Sequence, residues 1–388
     1  MAADAERVPF RQTGASVALD AIRGLAALLV LFDHCHNLFF VSCSQALAAT
    51  AHPRLIYVLY GLTSAGAQAV VIFFVLSGYL ISGSVFRSME QGRWSWKDYL
   101  IHRLVRLWLV LLPALVLCAV WDCARLAMNG GAASLMDRMH ANGMTWQIFV
   151  GNLLFLQDGI VRAFGSDRVL WSLAAEFWYY MLFPLGLLAL RRGTSMRGRL
   201  VYGAGFLLAA AIAGRWILVL FPVWLCGTVL ALARPPAVGS GVRWAAVLLY
   251  APWVFVLPMV AWPWRYFRMD YGLGILTAVL LWVLLSARER VQEERVTVRA
   301  SRSLAGSSYS LYLVHYPMLA MVAAVLLKGR FWQPTPRHIA IGAGIGVLAV
   351  VYGYGVAACT EWHNDSVRRW VQDRLTRRNR ARESLALR

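Results

Sequence analysis

Long apolar runs follow one another through most of the chain, broken by short clusters of Arg, Gly, Pro and Ser. A helix needs about 17–25 apolar residues to cross roughly 30 Å of hydrocarbon. Ten runs approach that length, near 17–41, 66–86, 100–121, 169–190, 199–214, 216–233, 243–262, 272–287, 304–327 and 339–359. Between the fifth and sixth, only Gly214 and Arg215 intervene. Lipid leaves no backbone group unpaired, and strand-like alternation of barrel length is absent, so the runs predict helices. The expected fold is an all-α membrane protein, a polytopic bundle of about ten transmembrane helices. It comprises an N-terminal segment 1–16, a membrane domain 17–360 and a basic tail 361–388.

Composition sharpens this picture. With 60% hydrophobic and 15% charged residues in 388, the chain is too apolar for a soluble domain. It is equally unlike a disordered chain, a coiled-coil fibre or a disulfide scaffold, since its six cysteines form no CxxC pair. The formal charge of +19 would suggest nucleic acid in a soluble protein, but all except two of the 38 basic residues are Arg, placed mostly between apolar runs. Counted by alternate loops, 27 fall on the side of both termini and 11 on the other. By the positive-inside rule both termini are expected in the cytoplasm, with the Arg-rich tail against anionic lipid and no role for nucleic acid. A signal peptide ending near Ala46-Leu47-Ala48 is the alternative for the first run, but Asp33, His34 and His36 interrupt it. The long outer loop near 122–168 is a candidate lid or docking surface. Cys43 and Cys123 fall just past outer helix ends and could pair in an oxidising compartment.

Ionisable groups inside a span cost about 2.5–3.5 kcal/mol each, so each needs a reason. His34 follows Arg23 by eleven residues, three helical turns plus about 20°, so both share one face about 16 Å apart. Asp33 points elsewhere. Arg103 and Arg106, one turn apart, open the third span and suit a fork for phosphate oxygens, or snorkel at a helix end. Glu176 lies among aromatics about two turns inside the fourth span, as a functional or a structural hydrogen-bonding carboxylate. His315 sits about eleven residues into the ninth span, at a depth like that of His34 and just before Pro317, which should kink the helix. An intramembrane His with Tyr and Ser neighbours also suits packing. No metal motif of the HExxH kind occurs.

These residues carry a resemblance. Leu19-Asp20-Ala21-Ile22-Arg23-Gly24-Leu25-Ala26-Ala27 with His34 resembles the Arg-x10-His motif of the integral-membrane acyltransferase family three. Phe73-Phe74-Val75-Leu76-Ser77-Gly78-Tyr79-Leu80-Ile81 is similar to its second-helix signature, and Arg103-Leu104-Val105-Arg106 to its Arg-x-x-Arg motif. Trp171 to Phe183 resembles its fourth-helix segment, and Ser308 to Pro317 its late Tyr-Ser-x-Tyr-x-x-His pattern. The similarity runs from about Ala18 to Thr360, and five motifs in order make it specific.

The resemblance implies a bacterial inner-membrane enzyme that takes an acyl group, commonly acetyl, from cytoplasmic acyl-coenzyme A, with no metal. The acceptor would be an extracytoplasmic carbohydrate or glycolipid. Many relatives carry an appended hydrolase-like domain, for which this sequence has neither the length nor a Gly-Asp-Ser signature, so the membrane domain is expected to complete the transfer alone. Arg103 and Arg106, with Arg23, would bind the coenzyme's phosphates. His34 would be general base or nucleophile, and Glu176 or His315 would orient it or place the acceptor. A proton-coupled transporter or lipid-linked sugar flippase, in which His34, Glu176 and His315 relay protons, is the reading from another class; a purely structural subunit is a third.

Overall fold

The computed structural model describes residues 13–128, 143–257, 265–292 and 294–386. Among them there are helices and no strands. The elements are α1 (Gly14–Phe39), α2 (Cys43–Ala48), α3 (Pro53–Thr63), α4 (Gly66–Glu90), α5 (Trp96–Met128), α6 (Trp146–Leu153) and α7 (Leu170–Leu190). They continue as α8 (Met196–Ala213), α9 (Arg215–Leu232), α10 (Ser240–Val256), α11 (Arg265–Leu284), α12 (Val296–Leu327), α13 (Pro336–Cys359) and α14 (Asn364–Ala386), with a 3-10 turn over Glu361–His363 before α14.

Eight helices among the described residues are long and apolar enough to cross a membrane, and shorter apolar helices at Ser240–Val256 and Asp270–Leu284 complete the ten expected runs. The chain is thus a polytopic helical membrane protein. Its outer rows carry exposed Leu207, Leu208, Leu248, Leu249, Val347 and Val351, side chains that water would reject and acyl chains accept. Gly214, at φ +80, lets the chain reverse between α8 and α9 in one residue. The expected kink at Pro317 does not end α12, which runs through it to Leu327.

Without a hydrophobic drive between helices in lipid, close packing relies on small residues. A Cβ on Gly227 of α9 would collide with the Val75 carbonyl of α4, and one on Gly78 with the Trp224 carbonyl, so the two helices touch backbone to backbone. Gly24 of α1 meets Leu304 of α12, where an added Cβ would lie 2.7 Å from the leucine Cβ. Gly353 of α13 meets Leu311 of α12 in the same way. Helix α12 therefore runs at the centre, walled by α1, α5 and α13.

The loop near 122–168 reads from sequence as a candidate lid or docking surface. Residues 129–142 lie outside the described residues, but the remainder is tied down by buried polar groups. Asn152 donates to the carbonyls of Ile148 and Arg162 and accepts from the Phe164 amide. Gln157 donates to the Leu170 carbonyl at 2.9 Å. Asp122 accepts from the Ser166 amide at 2.7 Å and pairs with Arg125 at 3.2 Å. Burial beside Asp122 pushes the Asp167 carboxyl well above the usual carboxylate range. Cys43 and Cys123 are both free thiols, so the pairing considered from sequence is not formed.

Candidate active site

Helices α1 and α12 lie parallel and in register. Near the start of α1 the Arg23 Nη2 donates to the Ala305 carbonyl at 2.9 Å. Eleven residues on, Nδ1 of His34 lies 2.7 Å from Nε2 of His315. The rings stack with centroids 5.0 Å apart, and Tyr316 stands edge-on to His34 at 5.0 Å.

The second nitrogen of His315 decides the proton positions. Its Nδ1 lies 2.9 Å from the Leu311 carbonyl, which can only accept, so His315 carries its proton there. In the neutral ring Nε2 is then a bare acceptor, and the bond to His34 requires His34 Nδ1 to donate. What remains on His34 is an unprotonated Nε2. The chain from Leu311 carbonyl to His315 to His34 thus fixes the tautomer and leaves a base on the outward ring nitrogen. His315 is buried to 1% exposure, whereas His34 is half-buried.

Towards the other end of the same helices is a cavity with about 90 Å³ of water-accessible volume, bordered by Arg23, Arg106, Ser77, Glu176, Tyr180 and Tyr309. Glu176 accepts a hydrogen bond from the Tyr180 hydroxyl and another, at 3.4 Å, from Ser77. Trp224 of α9 donates to the same Ser77 hydroxyl at 3.2 Å. Glu176 therefore does not orient His34; of the two candidates, the structure brings His315 there and holds Glu176 at the arginine end. Tyr312 closes the cavity on the histidine side. Its hydroxyl bonds to Ser172, and its ring meets Phe73 and His315 at 5.9 and 6.2 Å.

The two arginines of the third span do not make one fork. Arg106 borders the cavity and interacts electrostatically with Glu176 and Glu361. Arg103 turns to a second hollow, its guanidinium 5.4 and 5.7 Å from the rings of Tyr99 and Tyr180, with Nη2 3.5 Å from Ser84 Oγ. Asp33, whose role the sequence leaves open, accepts from Asn37 at 3.1 Å and from the amide of Gly66, the first residue of α4. It is a carboxylate set at a helix N-terminus that has no side-chain cap of its own.

Two residues join the site that spacing did not suggest. Glu361 accepts from the amide and hydroxyl of Ser310, both at 3.1 Å, and faces Arg23 and Arg106. Arg168, exposed ahead of α7, bonds to Tyr316 and acts electrostatically on His34. Among the described residues no group of three or more potential metal ligands occurs.

Comparison with known proteins bears on this arrangement. Residues 16–355 match the family described as acyltransferase domain. An O-acetyl transferase of Shigella phage Sf6 is 25% identical over 328 residues, covering 81% of this chain and 88% of its own. Nodulation protein 10 of Rhizobium leguminosarum bv. viciae is 26% identical over 208 residues, 51% of this chain and 50% of that protein. Acyltransferase MdmB of Streptomyces mycarofaciens is 26% identical over 173 residues, 43% and 38% of the two chains. No solved structure matches.

Proposed function

The chain belongs to the acyltransferase domain family, and from that premise we propose that it moves an acyl group, acetyl first among the candidates, from cytoplasmic acyl-coenzyme A to a hydroxyl of an extracytoplasmic carbohydrate or glycolipid. The membrane is the bacterial inner membrane, with both termini in the cytoplasm, as the 27 to 11 division of basic residues supports. Family membership sets the transporter and structural-subunit readings aside.

One observation carries the chemistry: the hydrogen-bond chain that leaves His34 Nε2 unprotonated. The acceptor O–H gives its proton to that nitrogen as its oxygen attacks the thioester carbonyl carbon. The tetrahedral intermediate then collapses, the C–S bond breaks, and the departing thiolate takes the proton back from His34 Nε2. Throughout, Nδ1 keeps its own proton and donates to His315, which stabilises the imidazolium while it exists. Arg23 and Arg106 attract the donor's phosphate-bearing end, and Glu176 and Glu361 hold those guanidiniums in place.

The test is release of free coenzyme A thiol from acetyl-coenzyme A by purified protein in lipid discs, with a panel of glycosides as acceptors. His34→Ala should abolish transfer yet leave coenzyme binding nearly intact, because the arginine end lies about 16 Å away along α1. Loss of both together would make His34 a structural residue. A His34→Gln protein with wild-type turnover would sink the base mechanism, since an amide cannot take the proton.

A further inference from the structure

An apolar groove of about 810 Å³ lies between the second half of α7 and the first turns of α8, and Phe221 and Leu225 of α9 complete its wall. It shares no residue with the Arg106 cavity. Small side chains carve it: Gly186 and Ala189 come from α7, Gly203 and Ala204 from α8, and a Cβ built on Gly203 would meet nothing within 4 Å. Elsewhere in the bundle glycines bring helices into backbone contact, as Gly78 and Gly227 do. Here they leave a space that no element of the described residues fills. Leu190, Leu200 and Leu207 stand exposed along it, so its lining suits hydrocarbon and not water.

One end of the groove is charged. The turn from α7 to α8 carries Arg191, Arg192, Arg197 and Arg199, and no Asp or Glu occurs between Glu176 and Asp270. Among the described residues none of the four is in an ion pair. Arg199 borders the groove itself. Its Nε donates at 2.9 Å to the carbonyl of Ala189, one of those at the end of α7 that no helical amide reaches, which fixes the half-buried side chain at the groove's end. Among the described residues its other nitrogens have no protein acceptor. An occupant therefore combines a long apolar part with an anionic head. With both termini in the cytoplasm, as proposed above, this turn lies at the inner face, where anionic headgroups supply phosphate. A second copy of the chain fits less well, because a two-fold contact across the groove would set the same four arginines against one another.

We propose that this groove seats an anionic phospholipid of the inner leaflet, with its phosphate on the arginines of the α7–α8 turn and an acyl chain along Gly186 and Gly203. Four guanidiniums favour diphosphatidylglycerol, which carries two phosphodiesters, over a lipid with one. The seated lipid packs against α7, the helix that also brings Ser172, Glu176 and Tyr180 to the Arg106 cavity, and so braces that helix from the lipid side. Binding here involves no acyl transfer and is tested independently of the reaction proposed above.

Native mass spectrometry of the full chain, in micelles holding diphosphatidylglycerol and phosphatidylcholine at equal concentration with matched acyl chains, tests it. Wild-type protein should retain diphosphatidylglycerol about tenfold or more over phosphatidylcholine. Two variants attack the two ends of the site. Arg191→Gln, Arg192→Gln and Arg197→Gln together remove charge from exposed positions and should erase most of that preference. Gly203→Trp fills the groove from a position where an added Cβ meets no neighbour, and should lose the lipid with all four arginines still in place. Melting temperatures equal to wild type in phosphatidylcholine alone show that both variants are folded. Added diphosphatidylglycerol should then raise the melting temperature of wild type and of neither variant. Equal retention of the two lipids by wild type would overturn the proposal. So would a Gly203→Trp protein that keeps the full preference, which would place the lipid elsewhere on the basic face. A dimer without lipid preference that Gly203→Trp dissociates would give the groove to a second copy of the chain instead.

Discussion

Replacing His315 with Ala separates positioning from chemistry. The bond it makes to His34 is 2.7 Å long, and at 1% exposure of His315 no water stands ready to take its place. A neutral hydrogen bond contributes about 0.5–1.5 kcal/mol and one to a charged group about 1.5–3 kcal/mol. Only what strengthens between ground state and transition state accelerates turnover, and His34 becomes charged only on the way to that state. Without His315 the His34 proton is also free to move to Nε2, where the ring can no longer accept from the substrate. Together these effects amount to about 1.5–3 kcal/mol, so kcat should fall about 10- to 150-fold at about 1.4 kcal/mol per decade. The Kd for coenzyme A should stay unchanged. His315→Gln places an amide oxygen where Nε2 was and should restore most of the loss. The assay is thiol release under saturating donor, with calorimetry for binding. An Ala variant with wild-type kcat would refute the tautomer argument, and so would a Gln variant no better than Ala in protein of equal thermal stability.

Three further outcomes follow from contacts outside the histidine pair. Asp33→Ala removes the carboxylate at the α4 N-terminus and should lower stability by about 0.5–2 kcal/mol with kcat preserved; lost turnover at unchanged melting temperature would place Asp33 in the chemistry. Gly227→Ala forces α4 and α9 apart where their backbones touch and should cost about 1–3 kcal/mol; thermal unfolding identical to wild type would show that the contact can give way freely. Asp167, whose carboxyl is held well above its ordinary value by burial, contributes stability that is present below the unfolded value of about 4 and lost as pH rises through the raised one. Asp167→Asn should therefore be the more stable protein at pH 8 and lose that advantage towards pH 4, and parallel melting curves across that range would contradict the assignment.

The spans were legible because a membrane imposes length and polarity together: the run near 169–190 is observed at Leu170–Leu190 and the run near 304–327 ends at Leu327. Depth was legible as well. Counting residues along α1 and α12 gave His34 and His315 the same level, but only packing decides that they face each other, and Gly24 against Leu304 is a contact between residues 280 positions apart. Glu361 was hidden for a different reason. It opens the tail that the sequence reads as basic and solvated, and only the turn after α13 carries it back beneath Ser310. Arg103 and Arg106 read as a pair because they share a helix face, yet the Tyr180 ring inserted by α7 divides that face in two. Where a group's role is set by its own helix the sequence suffices; where a neighbouring helix partitions the space it does not.

The parallel register of α1 and α12 joins the two ends of the site. Arg23 bonds to Ala305 and His34 to His315, so the partners advance by eleven residues on one helix and ten on the other. A slip of one turn, 5.4 Å in an α-helix, would break both contacts at once. The close approach of Gly24 to Leu304 and of Gly353 to Leu311 resists such a slip, because a backbone that fits only a missing Cβ has no second position of equal depth nearby. The arginine end and the histidine pair are therefore held at a fixed separation by two helices, leaving side chains to adjust between them. Tyr312 is the one placed to do so: its ring borders both the cavity and the histidine pair, and it is held by a hydroxyl contact to Ser172 and by ring edges rather than by a charge. On the proposed reaction, an acyl arm coming from the arginine end meets that ring before it meets His34.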